Sequence, residues 1–130
     1  MSLKSRLAGL ALWMSFGAAP GMAADCPAKS TEMDDIVAAI VAAPTCDAAM
    51  KVFVSCEFGA SGDVQLGAAV ERKCQGDFLA GLKPPQKQAY QREMAVCDRK
   101  YRNQSGTMSL SFTAFCRAEV AQRRAQKTRK

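Results

Sequence analysis

Hydrophobic positions along this chain recur mostly three and four residues apart, which is the helical period. Ser30 and Thr31 can cap a helix predicted over about Glu32 to Ala42, with Glu32, Asp34 and Asp35 at its electropositive start. Pro44 stops it, and Thr45 can cap a second helix in which Cys46, Ala49, Met50 and Phe53 share a face. Gly59-Ala-Ser-Gly62 breaks the chain. Asp63 then caps a third helix carrying Leu66, Val70, Cys74, Phe78 and Leu82 about one turn apart. Lys83-Pro84-Pro85 closes it and opens a fourth, since proline is tolerated in a first turn. Tyr90, Met94, Cys97 and Tyr101 form the stripe of that fourth helix. Asn103-Gln-Ser-Gly106 is turn chemistry. Thr107 can cap a fifth helix, with Leu110 or Ser111 near its start and Phe112, Phe115, Cys116 and Val120 turned inward. The β-branched patch Val52 to Val54 lies within a helical period. The pattern predicts an all-α domain, a small disulfide-stapled bundle of four to five helices.

The first residues obey another logic. Lys4 and Arg6 precede a short apolar run, Leu7 to Phe16, and then small residues up to Ala24. That order is a secretory signal peptide, and the run is too short to span a bilayer. Residues 1–23 are expected to be removed, with cleavage after Ala23 or Ala24. Asp25 before Cys26 argues against lipid attachment. The expected division is a stapled helical domain over 24–122 and a basic tail over 123–130, in a periplasmic or secreted protein with no transmembrane segment after cleavage.

All six cysteines, Cys26, Cys46, Cys56, Cys74, Cys97 and Cys116, lie after the signal segment. An even count in an exported chain points to disulfides. The chain has no histidine and no Cys-x-x-Cys pair, which argues against a zinc or thioredoxin-type site. In an antiparallel helix hairpin, residues equidistant from the turn stand at equal height. Cys97 lies nine residues before Gly106 and Cys116 ten after it, so these two thiols are expected to pair. The same rule about Ala60 favours Cys46 with Cys74 and leaves Cys26 for Cys56. A Cys46–Cys56 bond is the rival, and it demands a break in the second helix, because ten residues of helix separate Cα atoms by about 15 Å.

Charge divides the chain. Asp25 to Asp63 carries seven acidic and two basic residues, a net −5; Val64 to Lys130 carries fourteen basic and five acidic, a net +9. The tail concentrates Arg123, Arg124, Lys127, Arg129 and Lys130. These are candidates for contact with an anionic envelope component, or a solvated helix end favoured by the helix dipole. Nucleic acid is not expected as a partner, because the tail has no aromatic residue for stacking. Without histidine there is no Ser-His or Cys-His pair. The carboxylate pairs Asp34–Asp35 and Glu93–Asp98 read as helix surface, and Met33, Met50, Met94 and Met108 read as core filling. No catalytic residue, metal site or cofactor is expected, and the chain does not read as an enzyme.

Cys46-x-x-Ala49, Cys56 and Asp63-x-x-Leu66 resemble the opening of the small exported domain family named for the lysozyme inhibitor LprI. Phe78-Leu-Ala-Gly-Leu82, Gln86-Lys87, Cys97, Gly106, Cys116 and Arg123-Arg124 are similar to the later part of that family's pattern. Gln86 stands eleven residues before Cys97, the family's spacing, with Lys87 at its arginine place. Ala89 and Tyr90 stand where the family carries a tryptophan, and Cys26 and Cys74 are additional. The resemblance implies a binding protein that acts by protein–protein occlusion of a lysozyme rather than by catalysis. Animal lysozymes are basic, so the implied contact residues are acidic: Asp34, Asp35, Asp47, Glu57 and Asp63. The alternative is a structural envelope protein attached to anionic lipid or polymer through its basic C-terminal helix.

Overall fold

The computed structural model describes residues 25–129; the expected signal segment and Lys130 lie outside them. Five helices occur in order: α1 Met33–Ala42, α2 Cys46–Cys56, α3 Asp63–Gln75, α4 Pro84–Lys100 and α5 Met108–Thr128, with a 3-10 turn at Leu79–Gly81 between α3 and α4. No strand occurs among the described residues. The expected caps hold in part. Thr45 Oγ1 accepts the Ala48 N–H at 3.0 Å, and the Gln86 side chain accepts the Lys83 N–H at 2.9 Å where α4 opens at Pro84. Thr107 stands at the start of α5, but its side chain makes no capping bond. Gly106 takes φ +91°, the left-handed conformation that the α4–α5 turn needs and that side chains disfavour. α3 is shorter than its apolar pattern suggests. It ends at Gln75, and Phe78 reaches the core from the adjoining turn, edge-on to Tyr90 with ring centroids 5.1 Å apart.

Three disulfides staple the helices: Cys26–Cys56, Cys46–Cys74 and Cys97–Cys116, with Cα separations of 4.8, 4.7 and 5.6 Å. Equal heights favour Cys46–Cys74 and Cys97–Cys116, and Cys26–Cys56 is the pair they leave. α2 runs unbroken from Cys46 to Cys56, which leaves no route to the rival bond. The bridges form two separate groups. Two of them tie the N-terminal segment, α2 and α3 together; the third ties α4 to α5. No bridge joins one group to the other.

Non-covalent packing makes that joint, chiefly where α5 lies along α3. Small residues let the two helices close up. A Cβ placed on Gly67 would stand 3.0 Å from both the Cβ and the carbonyl oxygen of Ala114. Ala114, Ala118, Ala121 and Ala125 are all buried on α5. Phe115 supplies bulk on the α2 side, stacked on buried Phe53 with centroids 4.0 Å apart. The inward face of α5 keeps Phe115, Cys116 and Val120 as expected and departs from the expectation at its start. Phe112 faces solvent, and Ser109 and Ser111 are buried in its place.

Ser111 turns inward because Asp63 is there. Asp63 is expected from the sequence to cap α3 at the surface; instead Gly62 is the capping residue, and Asp63 is 0% exposed within the first turn. Its carboxylate accepts the N–H groups of Phe58 and Gly59 at 2.8 and 2.9 Å and the Ser111 hydroxyl at 2.6 Å. One buried side chain therefore fixes the α2–α3 loop, the start of α3 and the start of α5. Three hydrogen bonds to the enclosed carboxyl group offset its desolvation, and losing them strands two backbone donors. Asp63→Ala is expected to lower unfolding stability by about 3 kcal/mol or more, and Ser111→Ala by about 1.5 kcal/mol or more, in urea melts with the disulfides intact. A loss below about 1 kcal/mol for Asp63→Ala would show that the joint does not depend on this carboxylate. Gly67→Val is expected to cost about 1–3 kcal/mol by forcing α3 and α5 apart, despite the better helix propensity of valine. Unchanged stability in the same melts would show that the contact yields.

Candidate functional site

α1 and α2 are joined by a three-residue turn at 43–45, so they run antiparallel and the first turn of α1 lies beside the last turn of α2. The Cys26–Cys56 bridge locks that end. Of the expected acidic contacts, it gathers Asp34, Asp35 and Glu57. Asp34 and Glu57 are exposed, and Asp35 is half-buried, accepting the Ser30 hydroxyl at 2.6 Å. Asp25 and Glu32, also exposed, add to this acidic pole.

The other two acidic candidates leave it. Asp63 is enclosed and touches no solvent, so it cannot contact a partner. Asp47 begins α2 at the far end of the helix and is engaged from α5. Gln122 and Gln126 donate to its Oδ1 at 2.9 and 3.1 Å, and Arg129 donates to its Oδ2 at 2.8 Å. The Gln122 hydrogen bond above all, then those of Gln126 and Arg129, hold the Asp47 carboxyl below the ordinary carboxylate value against the opposing effect of burial.

The basic tail is similarly divided. α5 continues unbroken through Thr128, so residues 123–128 are its last turns rather than a separate segment. Arg124 meets Glu93 at 3.0 Å and Arg129 meets Asp47, which turns two of the expected envelope contacts into ties between helices. Arg123 and Lys127 are exposed and form no ion pair among the described residues.

Sequence reasoning missed Arg117. It donates through Nε to Glu71 of α3 at 2.9 Å and through Nη1 to both oxygens of Asp98 of α4 at 2.9 and 3.0 Å. Burial works against the Arg117 charge, but the bonds and charge of Glu71, then of Asp98, outweigh it and raise its pKa. Glu93 and Asp98, set side by side in the sequence reading, thus serve two different arginines. The hairpin rule that pairs Cys97 with Cys116 also puts Asp98 near Arg117 and Glu93 near Arg124, and it was the available signal. Beside Arg117, a groove of about 450 Å³ is lined by Gln75, Leu79, Lys87, Tyr90 and Met94. Gln75 donates to the Tyr90 hydroxyl at 3.0 Å, and burial, first among the causes, raises the Tyr90 pKa.

Asp47 generates a pH dependence. A carboxyl whose folded value lies below its unfolded one adds stability that is fully present above the unfolded value and is lost as pH falls through the folded value. Below about pH 4 the α2–α5 contact should therefore loosen in the native protein and not in Asp47→Asn. Thermal melts of both proteins from neutral to strongly acid pH are expected to converge as the acid limb is crossed. A constant gap between them would exclude Asp47 as the titrating group.

No protein-family model matches this chain, and no curated protein and no solved structure matches it either.

Proposed function

We propose that this protein is an exported, disulfide-held binding protein that works by covering a partner's surface, with a lysozyme as the partner its motif resemblance suggests. The observation that carries the reading is the acidic pole. Asp34, Asp35 and Glu57 are presented at an end of the bundle that the Cys26–Cys56 disulfide closes. A surface held this way loses little conformational freedom on docking, which favours affinity at a given contact area. Its charge steers it toward a basic protein and raises the association rate. Three disulfides suit an oxidising compartment, in keeping with export. The contact set is narrower than the sequence implied, because Asp63 and Asp47 serve the fold.

The test is binding of the oxidised protein, residues 25–130, to a c-type lysozyme in physiological salt, with lysozyme activity followed in parallel. Sub-micromolar binding with loss of activity is the expected outcome. Asp34→Asn/Asp35→Asn/Glu57→Gln should then weaken it about tenfold, mostly through slower association, while Arg123→Gln/Lys127→Gln leaves it unchanged. Absence of binding at tens of micromolar would remove lysozyme as the partner.

A further inference from the structure

The first turns of α5 are built inside out. Ser109 and Ser111 are 8% and 3% exposed, whereas Met108, Leu110 and Phe112 are 58%, 44% and 43% exposed. Two bonds set this rotation: the Ser111 hydroxyl donates to Asp63, and the Ser109 hydroxyl donates to the Gly106 carbonyl at 2.7 Å. The apolar side chains flank the α4–α5 turn on both sides, since residues two apart in a helix, such as Leu110 and Phe112, point about 160° away from each other. Leu110 lines a hollow shared with exposed Val64 of α3, and Phe112 lies 5.6 Å from the Tyr101 ring across the α4–α5 turn. Met108 is among the methionines expected in the core, and it is the most exposed of these apolar residues on α5. Exposed apolar surface gathered about one turn marks a contact site.

Positive charge flanks it at the end of α4 and in the turn. Arg99, Lys100 and Arg102 are exposed and form no ion pair among the described residues. No acidic residue occurs from Arg99 to Ala118. Asp98 borders the hollows beside Leu110, paired with Arg117, which Glu71 shares. Lys100 Nζ stands 5.3 Å from the Tyr101 ring centroid, and Arg102 lines a hollow with Tyr101 and Leu110. The helix dipole accounts for Arg99 and Lys100 in the last turn of α4. It accounts neither for Arg102 beyond the helix end nor for the exposed apolar residues opposite.

We propose that this tip, the α4–α5 turn with the start of α5, docks on the surface of an anionic lipid bilayer. Leu110, Phe112 and Met108 enter the headgroup boundary, and Arg99, Lys100 and Arg102 meet the lipid phosphates. Apolar side chains flanked by cations match an interface that is anionic outside and apolar just beneath. A soluble anionic polymer offers the charges nothing apolar to accompany them. No described helix is long and apolar enough to cross a membrane, so the attachment is peripheral. The proposal does not rest on the lysozyme reading, and the tip uses none of the acidic-pole residues.

Vesicle co-sedimentation tests it, using oxidised protein with vesicles of neutral phosphatidylcholine alone or mixed with phosphatidylglycerol. Binding to the mixed vesicles only is expected, with about tenfold or greater loss for Leu110→Ser/Phe112→Ser and separately for Lys100→Gln/Arg102→Gln. Arg123→Gln/Lys127→Gln should bind like the native protein. All substituted side chains are exposed, and circular dichroism checks that each variant folds. Equal binding to neutral vesicles, or no binding to either, overturns the proposal. So does a loss confined to the charge variant, which would describe adsorption to any polyanion. A dimer in sedimentation that Leu110→Ser/Phe112→Ser dissociates, without vesicle binding, would assign the patch to self-association and overturn it as well.

Discussion

The carboxylate of Asp63 lies in the joint between two cross-linked groups of helices. On one side are the N-terminal segment, α2 and α3, held by two disulfides; on the other are α4 and α5, held by one. The disulfides stiffen each group and say nothing about how the groups meet. That relation depends on Asp63 with Ser111, on the Gly67–Ala114 approach and on Arg117 reaching Glu71. Of these, the Asp63 bonds are the least replaceable. A polar group without solvent needs its partners, and its partners include two backbone donors of the α2–α3 loop. Every buried side-chain polar atom among the described residues is satisfied, so the joint contains no slack of this kind.

The same bond connects stability to surface chemistry. Ser111 can meet Asp63 only if α5 is rotated so that its first apolar residues face outward. The exposed Leu110 and Phe112 are therefore the other side of an internal hydrogen bond, and a sequence that buried them would have to release the carboxylate. At the opposite end of α5, Gln122, Gln126 and Arg129 grip Asp47, while Arg123 and Lys127 stay free. One helix thus carries fold-holding polar residues and solvent-facing ones in alternation along its length.

How far the sequence reveals this depends on the range of the interaction. Helix rise is constant, so distance from a turn predicts height, and height predicts which cysteines meet across Gly106 and across the Gly59–Gly62 break. Caps at Thr45 and prolines at the start of α4 are local and equally legible. Asp63 is misread because an acidic residue at a helix start has an adequate local explanation. Its burial depends on Ser111, 48 positions away. Phe112 is misplaced for a related reason. Large apolar residues look like the inward stripe, whereas the tight contact at Gly67 selects alanines for that role. The acidic and basic halves of the chain look like two surfaces, and the fold instead brings Asp47 to Arg129 and Glu93 to Arg124.

The order of the cysteines has a consequence for biogenesis. Cys46 lies between Cys26 and Cys56, and Cys56 lies between Cys46 and Cys74, so the first two bridges are interlaced. A chain oxidised as it is made, N-terminus first, presents Cys46 to Cys26 before Cys56 has followed. Oxidation in order of arrival would close the wrong ring, and only exchange of thiols could open it again. Cys97 and Cys116 face no such competition once the earlier four are paired. The compartment that matures this protein must therefore reshuffle disulfides, or delay making them until α2 and α3 have met.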